Sequence, residues 1–264
     1  MINGRNDTAV STAAHGAVQV ITLSRPQYRN AIDTAMCGEL TRALEQAGSN
    51  EGIRAILLQG AGRAFCAGGD IHDMPLQQRY DSALRHTAAY QKAAKLLYDM
   101  PKPVVCAVNG AAAGAGFSLA LACDVIIAGE TARFIQAFGQ VGLVPDCGST
   151  FLLARSIGRH RAKELIFSGR SLTAAEAQQY GIVSQVVPDG QLEQTALSLA
   201  EQFAQGPTLA MSLAKSAIDR GFTLTADQAL ELETHSQCRC FLSEDYLSGK
   251  DAFMQHISPI FEGK

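Results

Sequence analysis

The sequence has little excess charge of either sign. It contains 22 Lys and Arg residues against 25 Asp and Glu residues, a formal net charge of -3, and the basic residues are scattered among the acidic ones. A nucleic-acid-binding domain needs a basic patch or stripe, so we expect no nucleic-acid partner. The chain also lacks an uninterrupted run of about 18 apolar residues, because Arg, Asp or Gly interrupts each candidate. We therefore expect no membrane partner either.

The sequence also lacks a secretion signal, a disulfide framework and a metal-binding motif. Residues 1–16 contain no apolar signal core, so we predict a polar leader and a cytoplasmic protein. The seven cysteines are an odd number spread from Cys37 to Cys240, which favours reduced thiols. Cys238 and Cys240 have no second Cys pair or nearby His, and no HExxH motif occurs, so we expect no metal.

Apolar periodicity predicts an α/β fold with a parallel sheet. Strand-like runs alternate with helical patterns along the first half of the chain, which is typical of this architecture. From residue 207 onward the pattern is helical throughout, with Thr225 and Ser243 placed to cap helices. The predicted strands are 17–23, 55–60, 103–110, 122–129 and 181–188, and the predicted earlier helices are 30–48, 83–100, 161–168, 173–180 and 192–205. We predict a core over residues 17–200 and a helical region over 201–264.

Two glycine-rich segments each follow a predicted strand. They are GAGRAFCAGGDI at residues 60–71 and NGAAAGAGFSLALACD at residues 109–124. The first fails the GxGxxG pattern, and no GxxxxGK[ST] loop is present, which excludes the usual nucleotide-phosphate loops. Small residues let backbone N–H groups approach a ligand closely. Two such groups converging on one oxygen would form an oxyanion hole.

A single acid stands in the stretch GLVPDCGST at residues 142–150. One interpretation is that Asp146 caps the helix that starts near Gly148. The other is that Asp146 is a catalytic acid or base held in an apolar pocket, where desolvation tunes its pKa. The local sequence leaves both interpretations open.

Several blocks of the sequence resemble the crotonase (enoyl-CoA hydratase/isomerase) superfamily in order and spacing. They are RPQYRNAI, AFCAGGDI, PKPVVCAVNGAAAGAGFSLALACD, FGQVGLVPDCGSTFLLARSIG, AKELIFSGRSLTAAEAQQYGIVSQVV and the tail DAFMQHISPIFEGK. The resemblance implies a spiral core of ββα turns, a C-terminal helical trimerisation region, and a homotrimer or dimer of trimers. It also implies an acyl-CoA thioester as substrate and no separate cofactor. The blocks VPDCGST and NGAAAGAG are most similar to the ring-1,2-epoxyphenylacetyl-CoA isomerase type.

The resemblance also assigns residues to the site. The two oxyanion donors map onto the backbone amides of Gly69 and Ala115, the second of which is commonly Gly in the family. The resemblance places His256 at a tail position where the family usually has Lys, which puts a CoA contact there in doubt. The residues expected to bind CoA or the acyl group are Tyr28, Arg29, Ala67, Asp70, Ile71, Gly114, Phe138 and Phe253, the last from a neighbouring subunit.

Hydratases of this family use two glutamates, which map here onto Ser118 and Phe138. Neither residue transfers a proton as a carboxylate does, so the mapping argues against concerted addition of water. Asp146 matches an aspartate of family members that isomerise or substitute at the acyl group. One base suffices to move a proton between two carbons of an enolate, and we predict this role for Asp146 in an isomerase.

Other functions stay open at this stage. A 2-enoyl-CoA hydratase is the first alternative, and an acyl-CoA binding protein without catalysis is another. A third follows the 4-chlorobenzoyl-CoA dehalogenases, in which an aspartate at the position of Asp146 attacks carbon. Those enzymes use aromatic and His partners, whereas this chain has no Trp and has Gln91 near a matching position. Cys147 as a nucleophile lacks a base nearby in the sequence.

Overall fold

A computed structural model describes residues 8–75 and 79–264. The strands are β1 (Val10–His15), β2 (Val18–Leu23), β3 (Ala55–Gly60), β4 (Ala64–Cys66), β5 (Val104–Val108), β6 (Ala111–Ala113), β7 (Val125–Gly129), β8 (Arg133–Ile135), β9 (Ser171–Thr173) and β10 (Gln185–Val187). The helices are α1 (Thr34–Ser49), α2 (Tyr80–Tyr98), α3 (Ala115–Leu121), α4 (Ser149–Ile157), α5 (Arg159–Ser168), α6 (Ala174–Gln179), α7 (Leu192–Ala204), α8 (Thr208–Gly221), α9 (Ala226–Phe241) and α10 (Glu244–Gln255).

The strands form two sheets that are built by repeated ββα turns. The first strand of each turn joins a six-stranded sheet in the order β1-β2-β3-β5-β7-β10, and the second joins a four-stranded sheet in the order β4-β6-β8-β9. A helix then returns the chain, as α2 does after β4 and α3 does after β6. Pairing between successive turns is parallel, as in β3 with β5 and β4 with β6. This is the predicted α/β spiral.

The central strands are apolar on both faces, which explains why the sequence shows them as continuous apolar runs. In β3, Ile56 and Leu58 face one buried cluster, whereas Leu57 faces the other. The second cluster is covered by α7, whose alanines at 196, 200 and 204 recur every fourth residue and lie on one face. Small residues at this spacing let the helix lie close to the sheet.

The structure corrects the predicted polar leader. Residues 10–15 form β1, which pairs with β2 in an antiparallel register from Val10 opposite Leu23 to His15 opposite Val18. Only Val10 of this edge strand is buried, so backbone hydrogen bonds hold a strand whose side chains carry no apolar signal. Residues 1–7 lie outside the described residues. The predicted boundary between residues 200 and 201 falls inside α7, which is one continuous helix.

The C-terminal region consists of three helices and a tail, as predicted. Thr225 and Ser243 cap α9 and α10 with their side chains. The buried carboxylate of Asp245 accepts hydrogen bonds from the backbone amides of Glu262 and Gly263 at 2.6 and 2.9 Å. These bonds hold the C-terminal tail against α10. None of the helices in the described ranges combines the length and apolarity needed to cross a membrane.

Candidate active site

Two glycine-rich loops meet where β4 and β6 end. Gly68 and Gly114 have φ angles of 99° and 50°, which L-residues with a side chain rarely adopt. A Cβ atom on Gly68 would lie 2.9 Å from the backbone oxygen of Ala113, and one on Gly116 would lie 2.6 Å from the Cβ of Cys66. The loops can therefore approach this closely only because these glycines lack a side chain.

The two expected oxyanion donors lie in these loops. Ile32 pairs with the first loop in parallel register, donating to the oxygen of Gly68 at 2.8 Å and accepting from the amide of Asp70 at 2.7 Å. This pairing leaves the N–H of Gly69, between them, without a partner among the described residues. Ala115 is the first residue of α3, so its N–H has no acceptor within the helix. Both amides are free to bind an oxygen.

A buried asparagine holds the chain beside the first loop. Asn30 is fully buried with a φ angle of 56°. Its side-chain amide donates to the backbone oxygens of Ala61, Ala64 and Phe65 at 2.9, 2.8 and 3.1 Å, and its Oδ1 atom accepts from the amide of Arg25 at 2.9 Å. Asn30 thereby ties the segment before α1 to β4, the strand that leads into the first loop.

Asp146 does not cap a helix. The N-cap of α4 is Gly148, and no side chain makes a capping hydrogen bond there, so the helix-cap interpretation is wrong. Asp146 contributes only its backbone oxygen, which accepts from the amide of Ser149 at 3.0 Å. Its Oδ1 atom is shielded from solvent and has no hydrogen-bond partner in the described part of the chain. One oxygen of the carboxylate is thus left without a protein partner among the residues that the structure describes.

The surroundings of Asp146 favour its protonated form. Burial raises the pKa of the Asp146 carboxyl group above its ordinary value. The neighbouring Cys147 thiol, the backbone amide of Asp146 and the charge of His86 act in the opposite direction. A carboxyl group with a raised pKa is suited to both accepting and donating a proton.

A small cavity is lined by residues of both the Asp146 loop and the second glycine-rich loop. Its volume is about 10 Å³, enough for about one water molecule. Cys147 and Ala115 both line it, together with Tyr90 of α2. The complete lining is Ile32, Cys37, Leu40, Tyr90, Ala93, Ala115, Leu119 and Cys147. The structure therefore brings the residue that follows Asp146 to the same cavity as Ala115, the second predicted oxyanion donor.

The two positions that correspond to hydratase glutamates hold no acid. The buried hydroxyl of Ser118 donates to the backbone oxygen of Gly114 at 3.2 Å. Phe138 is buried against the second loop, since a Cβ atom on Gly114 would lie 3.9 Å from its ring. Both residues therefore shape the wall of the site without supplying a carboxylate.

The residues expected to bind CoA lie beside the first loop. The amide of Ala67 donates to the backbone oxygen of Arg29 at 3.0 Å, and the exposed side chains of Tyr28 and Arg29 stand next to this contact. The carboxylate of Asp70 forms an ion pair with Arg25 at 3.2 Å, so it is held within the protein. Ile71 is 64% exposed at the start of a short 3-10 helix and can contact a ligand.

The remaining candidates lie elsewhere. Phe253 and His256 are exposed on and just after α10, which packs against α9, so a contact with CoA would need a neighbouring subunit.

Burial and then the nearby Asp146 carboxylate raise the pKa of the Cys147 thiol. This thiol is therefore protonated at neutral pH, which disfavours it as a nucleophile.

Sequence reasoning missed three residues of the site. Tyr90 lines the cavity and donates from its hydroxyl to the oxygen of Ile32 at 2.6 Å. His86 precedes it by one helical turn, and the two rings lie 4.8 Å apart. Asn30 holds the segment before α1 against β4. A His and a Tyr at i, i+4 spacing on a helix are a signal for the first two, but Asn30 has no local signal beyond its place in RPQYRNAI.

The chain is similar to known proteins over nearly its whole length. The sequence model of the enoyl-CoA hydratase/isomerase family matches residues 13–264. The chain is 42% identical to 1,2-epoxyphenylacetyl-CoA isomerase of Escherichia coli K12, covering 94% of this chain and 95% of that protein. It is 36% identical to 2,3-dehydroadipyl-CoA hydratase of the same organism, covering 94% and 96%. The crystal structure of an enoyl-CoA hydratase from Bacillus anthracis superposes with a TM-score of 0.92 at 33% identity, covering 97% and 100%.

Proposed function

Because the chain belongs to the enoyl-CoA hydratase/isomerase family, we propose that it is an acyl-CoA isomerase in which Asp146 is the only side chain that both removes and returns the proton. The observation that carries this proposal is the shielded Oδ1 atom of Asp146, which has no partner in the described residues. At the hydratase positions, Ser118 and Phe138 supply no second carboxylate. A site with one carboxylate and no second acid fits a proton shuttle better than an addition of water.

The proposed reaction uses the two free amides and the one carboxylate. The thioester oxygen lies between the N–H groups of Gly69 and Ala115, which stabilise negative charge on it as the α-carbon loses a proton. For a 3-enoyl thioester, Asp146 takes that proton, leaving a conjugated dienolate. Asp146 then returns the proton to the γ-carbon, and the double bond moves from the 3 to the 2 position. No water or cofactor is consumed.

The same site suits a ring-epoxide thioester. The relative from Escherichia coli is named for 1,2-epoxyphenylacetyl-CoA, and we extend that substrate class to this chain. Asp146 takes an α-proton from this thioester too, and the enolate's electron pair forms a double bond to the ring as the epoxide C–O bond breaks. Asp146 then returns the proton to the epoxide oxygen, so the product is an isomer of the substrate. The two substrate types therefore share the oxyanion site and differ in the acyl group.

The nucleotide part of the substrate is proposed to lie along the first loop. Arg29 is exposed beside Ala67, and a guanidinium is suited to phosphate. A homotrimer is proposed from the apolar side chains on α8, α9 and α10 and in the tail. They are Ile218, Phe222, Leu230, Phe241, Leu247, Phe253, Met254, Ile257 and Ile260, and each is at least half exposed in the single chain.

A turnover screen tests the proposal. A 3-enoyl-CoA, a 2-enoyl-CoA and an aryl-epoxide thioester are incubated with the protein, and products are separated by chromatography and mass spectrometry. Isomerisation leaves the mass unchanged, whereas hydration adds one water. We expect Asp146→Asn to lower isomerisation by about 10²- to 10⁴-fold. Asp227→Asn, which removes an exposed carboxylate on α9, is the matched control.

Three outcomes would overturn the proposal. Full activity in a folded Asp146→Asn variant would mean that another group moves the proton. Consumption of the 2-enoyl thioester alone, with gain of water, would identify a hydratase, the function for which one relative is named. Tight binding of all three thioesters without turnover would identify an acyl-CoA binding protein.

A further inference from the structure

The turn that carries Asp146 has an unfavourable backbone conformation. The amide of Ser149 donates to the backbone oxygen of Asp146 at 3.0 Å, which closes a turn of four residues. Its two central residues, Cys147 and Gly148, have φ angles of 52° and 78°. Glycine adopts such angles readily, whereas a residue with a side chain does so only at a cost in free energy. The surrounding structure must therefore hold Cys147, and with it Asp146, in place.

A buried side-chain hydrogen bond ties this turn to the end of β8. The Nε2 atom of Gln136 donates to the Oγ atom of Ser149 at 2.8 Å, and the two residues are 1% and 0% exposed. Gln136 directly follows Ile135, the last residue of β8. The backbone oxygen of Ile135 accepts a hydrogen bond of 2.9 Å from the amide of Gly114. Two consecutive residues thus contact the Asp146 turn and the loop that supplies the Ala115 amide.

The side chain of Gln136 is a costly choice for a buried position. Its second polar atom, Oε1, is shielded from solvent and has no hydrogen-bond partner within residues 8–75 and 79–264. An unpaired buried acceptor lowers stability relative to an apolar side chain of similar shape. A polar side chain with this cost, bonded to the turn of the proposed base, indicates a role in the site and not in the stability of the core.

We propose that Gln136 is a positioning residue, whose hydrogen bond to Ser149 fixes the Asp146 carboxylate relative to the Ala115 amide. The inference rests on the proposed function, in which these two groups act on the same thioester. Gln136 acts through Ser149 and needs no contact with the substrate. The rate of proton transfer depends steeply on the position of the base, so a small displacement of the turn lowers kcat. KM should change little, because other residues bind the thioester.

Two variants remove the hydrogen bond from opposite ends. Gln136→Met keeps the length of the side chain and removes both polar atoms, the unpaired Oε1 included. Ser149→Ala removes only a hydroxyl at the first residue of α4, where alanine favours the helix, so it should fold even if the first variant does not. The matched control is Gln194→Met on α7, which removes a bond of the same type between exposed residues, from Nε2 of Gln194 to Oγ of Ser198 at 3.1 Å.

Steady-state kinetics with the thioester that the turnover screen identifies gives the first measurement. Gln136→Met and Ser149→Ala are each expected to lower kcat by about tenfold while KM stays nearly constant. The double variant should lose no more than either single variant, because all three lack the same bond. Gln194→Met should keep the kcat of the unmodified protein. Unchanged kcat in the folded single variants, or losses that multiply in the double variant, would overturn the inference.

Alkylation of buried thiols separates this inference from the proposed reaction, because it needs no turnover. The Cys147 side chain in the turn and the Cys106 side chain on β5 are 1% and 0% exposed, so N-ethylmaleimide reaches each only when the surrounding structure opens. Loss of the bond should raise the labelling rate of Cys147 by about five- to tenfold, as followed by mass spectrometry, while Cys106 keeps its native rate.

The labelling rates have three informative outcomes. An unchanged rate at Cys147 in both variants would overturn the inference, because the bond would then not hold the turn. An equal rise at Cys147 and Cys106 would also overturn it, since Gln136 would then serve only global stability. The expected labelling in a protein that isomerises no thioester would overturn the proposed function alone.

Discussion

The hydroxyl group of Tyr90 donates a hydrogen bond of 2.6 Å to the backbone oxygen of Ile32. The same oxygen accepts from the amide of Asp70, and the amide of Ile32 donates to Gly68. Helix α2 is thereby connected to the strand segment that orients the Gly69 amide. Burial raises the pKa of Tyr90, so its hydroxyl remains a donor at neutral pH.

Removing this hydroxyl should disturb catalysis more than binding. In Tyr90→Phe, Ile32 keeps its bond from Asp70 but loses the second donor, which costs about 1 kcal/mol of stability. We expect kcat to fall by about tenfold while KM changes little, because a slight shift of Gly69 weakens the hydrogen bond from its amide to the enolate oxygen. Steady-state kinetics and thermal unfolding measure both effects. Tyr80→Phe, at an exposed position, is the control, and an unchanged kcat in Tyr90→Phe would refute the positioning role.

The Ala115 amide can be deleted by proline with little damage to the helix. Ala115 is the first residue of α3, a position that tolerates proline because its N–H has no helical acceptor. Ala115→Pro should lower kcat by about 10²- to 10³-fold through loss of one oxyanion donor. Ala226→Pro places proline at the first residue of α9 and should retain activity. Circular dichroism checks folding, and native turnover by folded Ala115→Pro would exclude this amide from the hole.

The charge of His86 should shift the acidic limb of the pH–rate profile, because it opposes the larger effect of burial on the pKa of Asp146. The base must be ionised, and protonated His86 lowers the pKa of Asp146. The other ionisable group that acts on Asp146 is the Cys147 thiol, which is uncharged at neutral pH. In His86→Gln the pKa of Asp146 rises, so the acidic limb of kcat/KM should move to higher pH. His160→Gln, exposed on α5, should leave the limb in place. A limb that does not move, or that moves to lower pH, would contradict this assignment.

The Asp146 carboxylate should lower stability at neutral pH. Folding raises its pKa, so the folded chain binds the proton more tightly than the unfolded chain does. Its contribution is most favourable below the ordinary pKa of aspartic acid and is lost as pH rises through the raised value. Asp146→Asn should therefore increase Tm at neutral pH by roughly 2–4 °C.

The pH dependence of that gain provides the check. Below the ordinary pKa of aspartic acid, Asp146→Asn should show little or no gain in Tm over the unmodified protein, because the raised pKa keeps the native carboxyl protonated there. Asp227→Asn should show no comparable gain at neutral pH. A stabilisation of Asp146→Asn that is equal at acidic and neutral pH would mean that packing, and not the buried charge, is responsible.

The long strands and helices could be predicted because their signals are local. The run at 55–60 is β3 to the residue, since a strand buried on both faces is apolar at nearly every position. The four-stranded sheet was not predicted, because β4, β6, β8 and β9 have only three residues each and show no period. Strand β1 resembles a polar leader in sequence for a related reason, since its exposed side chains carry no apolar pattern.

The two glycine-rich loops could be located from composition, because closely packed backbone requires residues without side chains. Whether an amide in such a loop is free depends on its partners, and these come from distant parts of the chain, as Ile32 does for Gly69. Whether Asp146 caps a helix or has an unpaired carboxylate oxygen likewise depends on contacts that only the folded chain makes. Both need a carboxylate after an apolar stretch, so the local sequence was compatible with either.

Local sequence was therefore enough for the α/β class, the two glycine-rich turns and the identity of the lone acid, since periodicity and residue size act between neighbours. Tertiary structure decided that Gly148 caps α4, that the Oδ1 atom of Asp146 lacks a partner in the described residues, and that Tyr90 supports Ile32. It also decided that Cys147 lines both the small cavity at Ala115 and a second cavity between α2 and α4. These properties depend on which side chains the fold brings within a few ångströms, and residues far apart in sequence determine that.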